Sequence, residues 1–172
     1  MVFNSIAFLF FCAIVFPLYY LFPFRWQNIL LLCASYLFYG WWDWRFTGLL
    51  FANTAIDYYL ARAIDASDAP KRRKALLATS MVVNLGTLAV FKYCGFFADS
   101  LKLALNSIGI HPDWPSLHLV LPVGISFYTF LSMSYTLDVY RKELPASRNF
   151  IDFALFVSYF PHLVAGPIVR AS

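Results

Sequence analysis

Apolar residues run along this chain in long blocks, separated by short polar or proline-marked breaks. The first block predicts a helix over 5–21, rich in Phe, Ile and Leu and free of charge, with a kink at Pro17. Pro23, Arg25 and Trp26 mark a turn. The second block, 28–42, is closed by Asp43, Trp44 and Arg45. It is short against the ~20 residues of a vertical membrane span, so its flanking tryptophans share the work. The third block covers 46–64. The polar stretch DASDAPKRRK (65–74) then reads as a loop, and a fourth apolar block follows over 75–91. Residues 92–109 mix Lys92, Asp99 and Lys102 with apolar residues, the pattern of a helix lying at an interface. Residues 109–116, with Pro112, Asp113, Trp114 and Pro115, read as a loop. The fifth block is 119–137, and 138–148 is a charged connection. Asn149 with Asp152 three residues on marks a helix start. That helix meets Pro161 after ~16 Å, half of a ~30 Å hydrocarbon core. Residues 161–167, PHLVAGP, form either irregular backbone enclosed by protein or a proline-kinked helix.

The fifth block is two-faced. At a helical ~100° per residue, Val123, Phe127, Phe130 and Leu137 fall on one side, and Gly124, Tyr128, Ser132, Tyr135 and Thr136 on the other. A hydroxyl in hydrocarbon needs a partner, so the second face is turned toward other helices or toward a wet cavity. Small and hydroxyl residues of this kind glue helices together in bundles, and they also line passages.

Composition moves the reading firmly toward a membrane. The 172 residues are 61% hydrophobic and 13% charged, with mean hydropathy +0.66. Soluble domains average ~45–50% apolar and ~25% charged. The net charge of +4 does not signal nucleic-acid binding, because the cations are not gathered on one large polar surface. They do set an orientation. With the KRRK segment placed inside, Arg25, Arg62, Lys71, Arg72, Arg73, Lys74, Arg141, Lys142 and Arg148 fall inside. Arg45, Lys92, Lys102 and Arg170 fall outside, and the N-terminus is extracytoplasmic. The tryptophans at 26, 41, 42, 44 and 114 all lie at block ends or in loops, as an interfacial aromatic belt would. Cys12, Cys33 and Cys94 have no metal-ligand or disulfide spacing and read as small buried apolar residues, so no metal is expected. No cleavable leader is evident, and no repeat is seen. The expected fold is all-α: a polytopic transmembrane bundle of about six hydrophobic segments with an interfacial helix. Residues 1–172 read as the front part of a single larger membrane domain.

Candidate chemistry is sparse. His111 and His118 flank the Pro/Asp-marked stretch 112–115 and are expected at the surface. His162 follows Pro161 at apparent mid-membrane depth, where it is either functional or a neutral partner for a carbonyl freed by the proline. Asn53 and Asp57, four apart, share one face of the third block. A carboxylate there calls for a partner; the expectation is a structural ion pair with Arg62 or Lys92, against a proton relay. Tyr140 and Arg141 sit at the cytoplasmic mouth of the fifth block, where Arg141 is either a topology anchor or a receiver for a phosphate-bearing donor.

Four segments in order, ASYLFYGWWDWRF, FKYCGFFADS, LPVGISFYTFLSMSYTLDVYR and NFIDFALFVSYFPHLVAGPIVR, resemble the membrane-bound O-acyltransferase family. The resemblance is strongest to its alginate O-acetylation branch and covers essentially the whole chain; the D-alanyl-lipoteichoic acid transporter-like branch is more distant. It implies a many-helix protein with a cavity crossing the bilayer of the bacterial inner membrane. It also implies acetyl transfer from a cytoplasmic thioester, acetyl-CoA being the candidate donor, toward periplasmic acetyltransferase partners that modify a polysaccharide. The candidates for tunnel lining are then Gly124, Tyr128, Ser132, His162, Gly166 and Pro167. The family's catalytic histidine lies in a later helix after a motif rich in Trp, Arg and His. Nothing here matches that motif, so the catalytic role is not carried onto His162 and the chain reads as catalytically incomplete. The alternative is a non-enzymatic transporter or scaffold subunit that docks a periplasmic acetyltransferase.

Overall fold

A computed structural model describes residues 6–41, 43–107, 109 and 122–161. Among them are six helices: α1 (Ile6–Leu21), α2 (Phe24–Gly40), α3 (Trp44–Asp65), α4 (Pro70–Ser107), α5 (Ile125–Arg141) and α6 (Phe150–Ser158). The all-α expectation holds. One of these helices, α4, is long and apolar enough to cross a membrane; α1 is apolar but shorter.

Most breaks between blocks fall where local chemistry puts them. The Asp43 carboxylate caps α3 by accepting from the Arg45 N–H at 3.0 Å. Asn149 caps α6 through Ile151 N–H at 3.0 Å. Asp152 does not reach back to the backbone as a capping box would; it accepts instead from the Asn149 side chain at 2.9 Å. α5 begins after Gly124, whose φ of 74° is left-handed. α1 continues through Pro17.

Three sequence expectations need correction. α2 starts at Phe24, directly after Pro23, and so is longer than the 28–42 block. The 65–74 loop shrinks to 66–69, because Pro70 is the first residue of α4 and KRRK forms its first turn. A proline in that position has no N–H to leave unpaired and carries a φ suited to helix. The separate interfacial helix over 92–109 does not exist: α4 runs unbroken for 38 residues. Lys92, Asp99 and Lys102 change its polarity without any backbone signal that would end it, and no proline falls between Phe91 and Ser107. The cysteines are free, but none is buried as expected: Cys12 and Cys94 are half-buried and Cys33 is exposed.

The helices pack in two groups. α3, α4 and α5 are mutually in contact; α2 packs on α1, α3 and α6; α3 and α5 also touch α6. Polarity is arranged inside out. Phe130 of α5 is 45% exposed while Ser132 and Thr136 are buried. Phe10, Ile14, Val82, Phe96 and Phe97 also point outward. Contiguous exposed apolar surface on this scale is foreign to a soluble monomer and suits a lipid surround.

Candidate functional site

The α3–α4–α5 group is pinned at one end by Arg73. Its guanidinium donates from Nη1 to the Ile64 carbonyl (2.7 Å) and the Ser67 carbonyl (3.3 Å), and from Nη2 to those of Tyr140 (2.6 Å) and Val139 (3.3 Å). These carbonyls lie at the ends of α3 and α5 and in the loop after α3; Ile64 and Val139 also accept from the Ser67 and Lys142 N–H groups at 3.3 and 3.1 Å, and a cation there opposes the negative helix ends. Because one side chain joins the ends of α3 and α5 to the start of α4, α3 and α5 run parallel and α4 runs against them. The Arg73 guanidinium also lies 5.6 Å from the Tyr140 ring centroid.

That geometry fixes what meets further along. Seven residues from Ile64, Arg73 and Val139 stand Asp57, Ser80 and Ser132. They meet. Asp57, fully buried, accepts from Ser80 Oγ at 2.6 Å, from Asn84 Nδ2 at 2.9 and 2.8 Å, and from Ser132 Oγ. Asn84 also donates to the Ser80 carbonyl at 3.0 Å. One more turn along lie Asn53, Asn84 and Tyr128. Here Asn53 Nδ2, Asn84 Oδ1 and Thr129 Oγ1 are buried without a hydrogen-bond partner among the described residues. The Tyr128 hydroxyl, next to that of Tyr39, also lies outside hydrogen-bond geometry. Tyr39 itself donates to the Val123 carbonyl at 3.0 Å.

The expected ion pair at Asp57 is therefore overturned. Arg62 lies 5.7 Å over the Tyr58 ring and Lys92 5.5 Å over the Tyr93 ring. Neutral hydroxyl and amide donors from α4 and α5 hold the carboxylate instead. Such an arrangement clamps three helices at one register, because each donor loses its acceptor if any helix slides by a turn.

Of the candidate lining residues, Tyr128 and Ser132 face this packed seam, and Gly124 stands at the start of α5 in a left-handed turn. His162, Gly166 and Pro167 lie outside the described residues, as do His111 and His118. Tyr140 packs against Arg73, and Arg141 is exposed, 4.0 Å from Glu143. Arg73, Ser80 and Asn84 are the residues that sequence reading missed. A signal was present: Arg73, Ser80, Asn84 and Leu88, the buried residues of α4, repeat at helical spacing once the helix is started at Pro70.

A separate half-open pocket of about 370 Å³ opens between α2, α5 and α6. Its walls are largely apolar, including Leu31, Phe127 and Leu131. Asn28 closes one side by donating to Asp152 at 2.8 Å. It uses the apolar face of α5, not the seam of Tyr128 and Ser132.

No protein-family profile matches the chain, and no solved structure matches it. Curated proteins do. The chain is 47% identical over 172 residues to a "Probable alginate O-acetylase AlgI" of Azotobacter vinelandii, covering 99% of this chain and 34% of that protein. It is 46% identical over 172 residues to the like-named protein of Pseudomonas aeruginosa, covering 99% and 33%. A peptidoglycan O-acetyltransferase of Helicobacter pylori is 31% identical over 176 residues, covering 88% and 32%. The chain thus spans about a third of the length of these relatives. At 43–47% identity over nearly its whole length, the chain is a homologue of the alginate O-acetylase family.

Proposed function

We propose that this chain forms the front part of a multi-pass inner-membrane O-acetyltransferase that passes acetyl groups across the membrane for O-acetylation of an extracellular polysaccharide. The observation that carries the reading is the 47% identity to an alginate O-acetylase across 99% of the chain. The inside-out polarity of α5 supports a lipid surround with a polar interior. The donor in this reading is a cytoplasmic thioester such as acetyl-CoA, and the acceptors are reached through periplasmic acetyltransferase partners.

The same chain matches proteins named for two acceptors, alginate and peptidoglycan. A region common to both serves what the two reactions share, the supply and passage of the acetyl group, and leaves acceptor choice to other parts. Tyr128 and Ser132 then act by fixing α5 against α3 and α4, so that the wall of the passage keeps its shape.

A chimera tests this. The matching third of the Pseudomonas aeruginosa protein is replaced by this chain, and the acetyl content of the secreted alginate is measured. Acetylation near the parental level is expected. A chimera that reaches the membrane at normal abundance but leaves the alginate unacetylated would overturn the reading.

A further inference from the structure

The Arg73 clamp does more than hold carbonyls: it gathers the cationic ends of three helices onto one face. Around it stand Arg62 from α3, Lys71, Arg72 and Lys74 from α4, and Arg141 and Lys142 from α5, all exposed. Sequence spacing alone does not place Arg62 or Lys142 beside Lys71; the bonds from Arg73 to Ile64, Val139 and Tyr140 do. The acids nearby do not neutralise this face: six exposed cations stand against three exposed carboxylates, Asp65, Asp68 and Glu143. Asp65 accepts from the Ala146 N–H at 3.2 Å, Asp138 is buried, and Glu143 meets Arg141 only at 4.0 Å. The first turn of α4 contains no acid at all.

The surface next to this basic face is apolar and exposed. Along one stripe of α4, Lys71 and Lys74 are followed by Ala78, Val82 and Leu85, at successive steps of three, four, four and three residues. Val82 is 70% and Leu85 44% exposed. Cations standing at the foot of an outward-facing hydrocarbon stripe match a molecule with an anionic head and apolar tails. Free phosphate or a soluble nucleotide would use the cations and leave the stripe unused.

We propose that this basic face is a binding surface for anionic phospholipid, with the phosphate headgroup against Lys71, Arg72 and Lys74 and the acyl chains along Ala78, Val82 and Leu85. Polybasic segments at a membrane surface attract anionic lipid at roughly fivefold in affinity per cation, and the attraction falls with salt. The opposite end of α4 offers Lys92 and Lys102 at wider spacing on one helix. The asymmetry is therefore in the lipid contacts as well as in the charge count.

The test uses the protein purified in a neutral detergent and incubated with equal amounts of phosphatidylglycerol and phosphatidylcholine. Lipid retained on the protein is counted by native mass spectrometry. Preferential retention of phosphatidylglycerol is expected, together with a rise in melting temperature that inorganic phosphate at the same concentration does not give. Lys71→Gln, Arg72→Gln and Lys74→Gln combined should cut that retention by roughly tenfold or more, taking the per-cation factor above. Lys92→Gln with Lys102→Gln should leave it unchanged. Lys71, Arg72, Lys74 and Lys92 are exposed and Lys102 is half-buried, and circular dichroism checks that the helices persist. Equal retention of the two lipids, equal stabilisation by inorganic phosphate, or equal loss in both variants would overturn the proposal.

Discussion

The two halves of this bundle are held by different forces. On one side, α3, α4 and α5 share a buried carboxylate, two serines, an asparagine and an arginine that spans three helix ends. On the other, α1 and α2 meet residue Phe160 mainly through rings, with one hydrogen bond from the Phe160 N–H to the Ser35 hydroxyl at 3.2 Å. Phe11 and Phe160 stand edge to face at 5.4 Å between centroids, and Phe38 lies 5.6 Å from Phe160. In lipid, transferring a phenyl ring from the surround into the protein yields little, since both are apolar; what remains is packing. A directed hydrogen bond keeps its value there, because the alternative is an unpaired polar group in hydrocarbon. The seam therefore fixes register, and the aromatic side fills space and tolerates change.

The comparison is broken most easily at Asp57. Asp57→Ala should destabilise the bundle by about 3 kcal/mol, since it strands Ser80, Asn84 and Ser132 at once. Phe38→Ala, though it empties more volume, should cost about 1–2 kcal/mol in a lipid or detergent surround, for the packing lost. Chemical unfolding in mixed micelles measures both. A larger loss at Phe38 than at Asp57 would reverse the assignment of forces. A double-mutant cycle between Asp57→Ala and Ser132→Ala sharpens it: coupling of about 1 kcal/mol is expected, against nearly none between Asp57 and Phe38.

A smaller effect belongs to Gly124, at the entrance of the seam. Its φ of 74° suits glycine, so Gly124→Ala should lose about 1 kcal/mol. The same change at Gly48, where an added Cβ meets nothing within 4 Å, should stabilise by a few tenths of a kcal/mol as a helix-interior glycine is removed. Like signs at the two sites would mean that backbone conformation is not what Gly124 supplies.

How much of this could be read from sequence follows the same division. The two-faced pattern of 121–141 places Tyr128, Ser132, Tyr135 and Thr136 together, and all four are buried. The helix start at Asn149 is legible because a cap is a local event, whereas Asp43, which reads as closing the second block, opens α3. The partner of Asp57 was not. A search for opposite charge passes over Ser80, Asn84 and Ser132, because neutral donors on other helices leave no mark in sequence until the register is known. Register depends on Arg73, and Arg73 is hidden among three cations that have no such task. The extent of α4 is hidden for a related reason: charge at Lys92, Asp99 and Lys102 suggests an end, whereas a helix ends where its backbone groups find other partners.

The smallest expected effect lies outside the seam, at Asp43. The Arg45 N–H bonded to its carboxylate, and then the Arg45 guanidinium at 3.2 Å, hold Asp43 below its ordinary value of 3.8. A carboxylate with a depressed folded value contributes stability that is present above its unfolded value and is lost as pH falls through the folded one. The loss therefore belongs below about pH 4, and it should be local, because the exposed cap holds only the first turn of α3. Amide-exchange protection of Phe46, whose N–H bonds to the Asp43 carbonyl at 3.2 Å, should fall as pH drops below about 4. Over the same range Asp57, with its neutral donors enclosed, should keep the amides around Ser132 protected. If the two regions lost protection together, the cap and the seam would be one cooperative unit, and the contrast between a local and a three-helix restraint would fail.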